Sequence, residues 1–134
     1  VEFCGWLKHQ QVQDVMAACD LLTFPSIREF GGGVVLEAMA LGLPPLVVDY
    51  AGPGELVQPE WGYSIPIGTR AEIISNLAVA LEDRVKAPLD LQQKGTAAHA
   101  RVKEAFTWAR KAEQISLVYD WVRAPAGPAP QPLA

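Results

Sequence analysis

Leu46-Val47-Val48 is apolar at every position, closes on Asp49, and is fed by a helix-length apolar segment that stops at Gly42. A strand with one face in water alternates apolar and polar residues. A strand that is apolar throughout needs cover on both faces, the usual situation of a parallel sheet. Asp20-Leu21-Leu22-Thr23-Phe24-Pro25 is a second short apolar strand, ended by a proline that cannot extend a ladder. Between the two, Gly33 to Leu41 has the length of a helix, and Gly42 supplies the stop.

The same alternation extends outwards. Val1-Glu2-Phe3-Cys4-Gly5 reads as an opening strand. Gln10 to Cys19 places Val12, Val15, Met16 and Cys19 at helical spacing. Ala51-Gly52-Pro53-Gly54 reads as a sharp turn, and Tyr63 to Ile67 as an edge strand. Strands alternating with helices define an α/β fold, a parallel sheet with helices on both faces. C-terminal helices follow from about Thr69 to Arg123, with Ile73, Leu77, Leu81 and Val85 on one stripe and Trp108, Ile115, Val118 and Val122 on a later one. Pro88 and Thr107 mark the breaks between them. One domain is expected over residues 1–123, and the Pro- and Ala-rich stretch 124–134 reads as a disordered tail.

Charge narrows the partners. The net charge is −4 and the eleven basic residues are scattered, whereas nucleic-acid binding rests on clustered Lys and Arg. Nucleic acid is therefore not expected as a partner. Val34 to Val48 is interrupted by Glu37, Gly42, Pro44 and Pro45, so no transmembrane segment is expected. His9 and His99 stand apart in polar helices, both expected in water, and no D-x-D pattern occurs, so no metal site is predicted. Cys4 and Cys19 are expected to be two buried free thiols, and Trp6, Trp61, Trp108 and Trp121 packing residues. The chain begins at Val1, in the manner of a strand already under way, which suggests a piece of a larger protein.

The stretch from Pro25 to Ala40 puts a strand end, a glycine turn and a helix start in succession. In an open parallel sheet, ligands bind beyond the carboxyl ends of the strands. A helix start offers unpaired N–H groups and the positive end of its dipole, and glycines let a ligand approach the backbone. Glu29 precedes the turn, and Glu37 follows eight positions later in a helix apolar almost all round. A carboxylate in such surroundings needs hydrogen-bond partners. The hydroxyls of a sugar and a ribose would supply them. A glycine turn with Glu37 paired to Arg28 or to a backbone N–H fits the spacing equally well.

Pro25-Ser26 through Glu29, the step to Glu37-Ala38-Met39-Ala40, Gly42-Leu43-Pro44, and Asp49 with Gly52 and Glu55 resemble the family-4 (group 1) glycosyltransferases of the GT-B fold. Phe3, Gly5 and Leu7 with Met16, Cys19, Asp20 and Leu21 resemble the segment upstream. Phe106-Thr107-Trp108 with Tyr119 resembles the closing helix. The resemblance covers residues 1 to 122 and implies the later part of a Rossmann-like, nucleotide-sugar-binding C-terminal domain. Two departures stand out: the aromatic of the glycine turn, Phe30, comes one position early, and Ala51 stands where a glycine is common.

The resemblance implies a role for each matched residue. Glu29 would be the catalytic-site glutamate, lying against hydroxyls of the donor sugar. The N–H groups of Phe30, Gly31 and Gly32 would reach sugar and diphosphate, and Glu37 would hold the ribose. Arg28, Gly33 and Glu55 are further candidates: Arg28 for a phosphate or an ion pair with Glu29, Gly33 for the helix start, Glu55 for the ligand or for capping the next short helix. The implied reaction transfers a sugar from a nucleoside-diphosphate sugar with retention, through a front-face mechanism assisted by the leaving phosphate, without metal or cofactor. An N-terminal acceptor domain and the basic pair that neutralises the diphosphate would lie outside this chain, so the isolated chain is expected to be inactive and at best a weak nucleotide binder. The expected location is cytoplasmic, with membrane-peripheral attachment open for a full-length enzyme, and no oligomeric state is implied. The alternatives are a non-catalytic nucleotide-binding or interaction module, as from a truncated gene, and a fragment of a GT-B synthase.

Overall fold

A computed structural model describes residues 1–124 and 127–131 of the chain. Nine elements follow in order: α1 (His9–Ala17), β1 (Leu22–Phe24), α2 (Gly33–Ala40), β2 (Pro45–Asp49), α3 (Ala51–Leu56), β3 (Tyr63–Pro66), α4 (Arg70–Val85), α5 (Pro88–Ala105) and α6 (Trp108–Arg123). The sheet is parallel, in the order β1-β2-β3, with Leu22 opposite Pro45 and Val48 opposite Ile65. The expected α/β, Rossmann-like architecture is the one formed.

The apolar run of β2 lies in the centre because both of its faces are used. Val47 faces one layer, packing with Val35 and Met39 of α2 and Ala98 of α5. Leu46 and Val48 face the other, with Ile65 of β3 and Ile73 of α4. All three β2 side chains are fully buried, and each such burial contributes roughly 1.5–3 kcal/mol. Met16 docks α1 against Ala38 of α2 and Leu43. Pro45 is tolerated in the central strand because it is the first residue.

Three helix starts follow local chemistry. Thr69 Oγ1 accepts from the Glu72 N–H at 3.3 Å, and Glu72 Oε2 accepts from the Thr69 N–H at 2.8 Å, a reciprocal cap that opens α4. The Thr69 hydroxyl, and then its backbone N–H, hold the Glu72 carboxyl below its ordinary range. Pro88 sits at the first position of α5, and Thr107 caps α6.

Several expectations are corrected. Residues 1–5 form no strand, and Val1, Phe3 and Trp6 are exposed; an apolar segment becomes a strand only where a neighbour completes its ladder. The Ala51-Gly52-Pro53-Gly54 turn is the first turn of α3. Ala51 there adopts φ +50°, the left-handed region that glycine prefers. Val85 leaves its stripe for solvent. The stripe on α6 buries nothing, and Trp108 is 92% exposed: periodicity marks an apolar face without guaranteeing a partner for it. Cys4 and Cys19 are free but exposed, not buried. Of the four tryptophans, Trp61 and Trp121 are half-buried, donating to the carbonyls of Leu56 and Gly127 at 3.0 and 3.2 Å, while Trp6 and Trp108 do not pack. His99 is exposed as expected, yet its Nδ1 lies 2.7 Å from the Ala40 carbonyl. Residues 125–126 and 132–134 of the proposed tail lie outside the described residues.

Candidate functional site

Parallel strands send their connections to the same edge. The segment after β1 carries Glu29 and the glycine turn, and the segment after β2 becomes α3. The two meet above the strand ends, where the Phe30 carbonyl presses so closely on Gly52 that a methyl group there would collide with it. Phe30, Gly31, Ala51, Gly52, Glu55 and Leu56 line a shallow depression of about 360 Å³ between them.

Glu29 folds back over the turn. Its Oε1 accepts from the N–H of Gly31 at 3.3 Å and from that of Gly32 at 3.2 Å. Two of the three N–H groups expected to face a ligand are thus held by the chain's own carboxylate. Among the described residues, the Phe30 N–H has no protein partner. Gly32 ends the turn at φ +64°, and a Cβ there would lie 3.2 Å from Leu56 Cδ1 and 3.3 Å from Pro53 Cγ. Gly31 and Gly33 face open space. The Phe30 ring is 95% exposed.

Glu37 lies in α2, with its side chain 43% exposed and Oε1 3.4 Å from His9 Nε2 of α1. This corrects the expectation of an apolar surround: the start of α1 leaves that face of α2 open to water, so Glu37 needs no ligand to be tolerated. Among the described residues Arg28 forms no ion pair, with Glu29 or Glu37; its N–H donates to Ser26 Oγ at 3.4 Å. Glu55 is the fifth residue of α3, so it does not cap that helix, and it lines the depression. Sequence reasoning missed His9. It stands 28 positions before Glu37, and no periodicity connects the two. Among the described residues there is no group of three or more His, Cys, Asp or Glu in metal-binding proximity, and no helix long and apolar enough to cross a membrane.

A larger cleft, of about 1000 Å³, lies at the opposite edge, lined by Leu21, Gly42, Leu81, Arg84, Gln92 and His99 among others. It faces the amino ends of the strands, away from where parallel sheets place their ligands. Size therefore does not identify the site here. Beside this cleft Tyr63 Oη donates to Asp90 Oδ2 at 2.7 Å, with the Arg84 guanidinium 4.3 Å from the Tyr63 ring centre. Burial first, then the hydrogen bond to Asp90, pushes the Tyr63 phenol up to about 12. The cluster ties β3 to α4 and α5 and has a structural explanation.

A parallel sheet covered on both faces, with a glycine turn and helix start at the carboxyl edge, defines a Rossmann-like α/β domain. Residues 1–98 match the family model of glycosyl transferases group 1. The chain belongs to that family of GT-B glycosyltransferases. It is 30% identical over 124 residues to the GDP-mannose-dependent monoacylated alpha-(1-6)-phosphatidylinositol monomannoside mannosyltransferase of Corynebacterium glutamicum, covering 87% of this chain and 31% of that protein. It is 31% identical over 120 residues to the phosphatidylinositol N-acetylglucosaminyltransferase gpi3 subunit of Schizosaccharomyces pombe, covering 90% and 25%. Sucrose-phosphate synthase from Thermosynechococcus elongatus shares the fold at a TM-score of 0.78 and 28% identity, over 94% of this chain and 31% of that one. The Anabaena protein HepE, solved in complex with UDP-glucose, follows at 0.56 and 28% identity, over 79% and 29%. The chain therefore spans less than a third of the length of these relatives.

Proposed function

We propose that this chain is the donor-binding portion of a family-4 glycosyltransferase that moves a sugar from a nucleoside-diphosphate sugar to an acceptor with retention. The observation that carries the proposal is the pairing, at the carboxyl edge of the sheet, of open backbone at Gly31 and Gly33 with two glutamates, Glu29 before the turn and Glu37 after it. The relatives named as mannosyl- and N-acetylglucosaminyltransferases, and the HepE complex with UDP-glucose, support the substrate class.

In this proposal Glu37 takes the ribose hydroxyls, and Glu29 turns from the glycine N–H groups to the hydroxyls of the sugar. The freed N–H groups of Gly31 and Gly32, with that of Phe30 and the start of α2, then meet the diphosphate. Charge developing on the departing diphosphate is accommodated by those fixed dipoles, and Glu29 supplies orientation. No metal or cofactor enters the scheme. The acceptor and a basic pair for the diphosphate come from elsewhere in a larger protein, so the chain alone turns over no donor. A GT-B synthase is the second reading, favoured by the similarity to sucrose-phosphate synthase.

Titration of the chain with UDP and GDP, followed by amide NMR, tests the site. Perturbations centred on Gly31, Gly33 and Glu37 are expected, with affinity on the order of 1 mM or weaker. Glu37→Ala should weaken that binding about tenfold, the loss of a hydrogen bond to a charged group. Perturbations confined to the cleft at the amino edge, or an unchanged affinity in Glu37→Ala, would overturn the assignment.

A further inference from the structure

His9 belongs to no part of the scheme above, yet its imidazole reaches across from α1 to Glu37. Nε2 lies 3.4 Å from Oε1, and among the described residues Oε2 has no protein partner. We infer that His9 is a positioning residue for the donor site: it holds one oxygen of Glu37 so that the other is presented to the ribose hydroxyls. The inference rests on the ribose role proposed for Glu37.

Three observations support a positioning role. The helix that carries His9 is fixed at its start, because the Lys8 N–H donates to Gln11 Oε1 at 2.9 Å and sets the first turn. It is also fixed along its length, because Met16 and Val12 pack with Ala38 and Val34 of α2. The backbones behind both side chains are therefore anchored to one another, and the imidazole approaches Glu37 from a constant direction. Finally, Glu37 has no competing cation: Arg28 makes no ion pair with it, and among the described residues His9 is its one charged or titratable partner.

A carboxylate on a half-exposed helix face samples several rotamers, and a ligand that needs one of them loses affinity to the ordering. A group that orders the carboxylate beforehand recovers that loss. As a purely structural contact the pair does little, since exposed ion pairs contribute little to stability. Its consequence appears when the second oxygen is engaged.

The test uses the 134-residue chain and NMR titration with UDP or GDP, whichever binds more tightly, beside the 2′,3′-dideoxy form of the same nucleotide. Wild type should prefer the ribonucleotide. His9→Ala should lose about three- to tenfold in affinity for the ribonucleotide, the effect of one hydrogen bond, and nothing for the dideoxy form. His9→Gln keeps an N–H that can reach the carboxylate and should recover most of the loss. Unchanged ribonucleotide binding in His9→Ala, an equal loss for both nucleotides, or no recovery in His9→Gln overturns the role of His9 while leaving Glu37 in place. Equal binding of both nucleotides by wild type, or none at all, overturns the ribose reading itself, and the inference with it. Amide dispersion matching wild type shows that each variant is folded.

Discussion

Gly95 on α5 and Gly33 at the start of α2 are both helical glycines, and their surroundings are opposite. A methyl group on Gly95 would run into the Gly42 carbonyl oxygen and lie 3.3 Å from Pro44 Cδ, whereas one on Gly33 meets nothing within 4 Å. The first glycine lets α5 press against the segment that feeds β2 at the amino edge. The second leaves backbone bare at the carboxyl edge. A helical glycine costs up to about 1 kcal/mol relative to alanine, and packing explains that cost only at Gly95. The comparison teaches that a glycine-rich stretch carries functional information only where the neighbours do not already require it.

Three substitutions probe that contrast. Gly95→Ala should have the largest effect, a loss of about 2–3 kcal/mol from overpacking against backbone that cannot rotate away, read as a fall in thermal midpoint of roughly 10 °C. A midpoint within a degree of wild type would break the contrast at its packed end. Gly33→Ala should leave stability unchanged or raise it by up to about 1 kcal/mol, while weakening nucleotide binding in the same NMR titration. A large destabilisation there would show that the carboxyl edge is packed after all.

The smallest effect concerns the amino edge and is read spectroscopically. Tyr63 opens β3, and its phenol is raised from 10.0 to about 12. Because the protonated form is the one favoured in the fold, its contribution is complete below about pH 10 and is lost as pH rises through about 12. Near-ultraviolet absorbance of the phenolate should show one of the three tyrosines ionising late. Tyr63→Phe should remove that late step. Three coincident ionisations would mean that the amino edge is wetter than its packing indicates.

Much of the fold could be read from local patterns. The unbroken run at Leu46-Val47-Val48 demanded two covered faces and received them. Pro88 and Thr107, read as breaks between helices, stand where α5 and α6 begin, because the chemistry of a first turn is confined to a few residues. What could not be read depends on distant partners. Among the described residues, Val1 to Gly5 has strand composition without a strand neighbour, α6 has an apolar stripe that buries none of its residues, and Gly52-Pro53-Gly54 has turn composition inside a helix. The candidate site divides in the same way. Glu29 and the glycines are neighbours in sequence, so a contact two or three residues away was within reach of pattern reasoning. The His9 contact to Glu37 arises only when α1 docks on α2.

The hydrogen bonds from Gly31 and Gly32 to Glu29 have a consequence in time as well as in space. They satisfy the turn internally, so this part of the chain holds its shape with or without an incoming anion. Any anion that does arrive at those two N–H groups must take the place of a carboxylate attached by a few rotatable bonds. Glu29 is half-buried, and loop motions run over nanoseconds to microseconds, still faster than a dilute ligand encounters a protein. The internal contact therefore lowers affinity without slowing capture, and after the anion departs the turn closes on its own carboxylate before the next encounter.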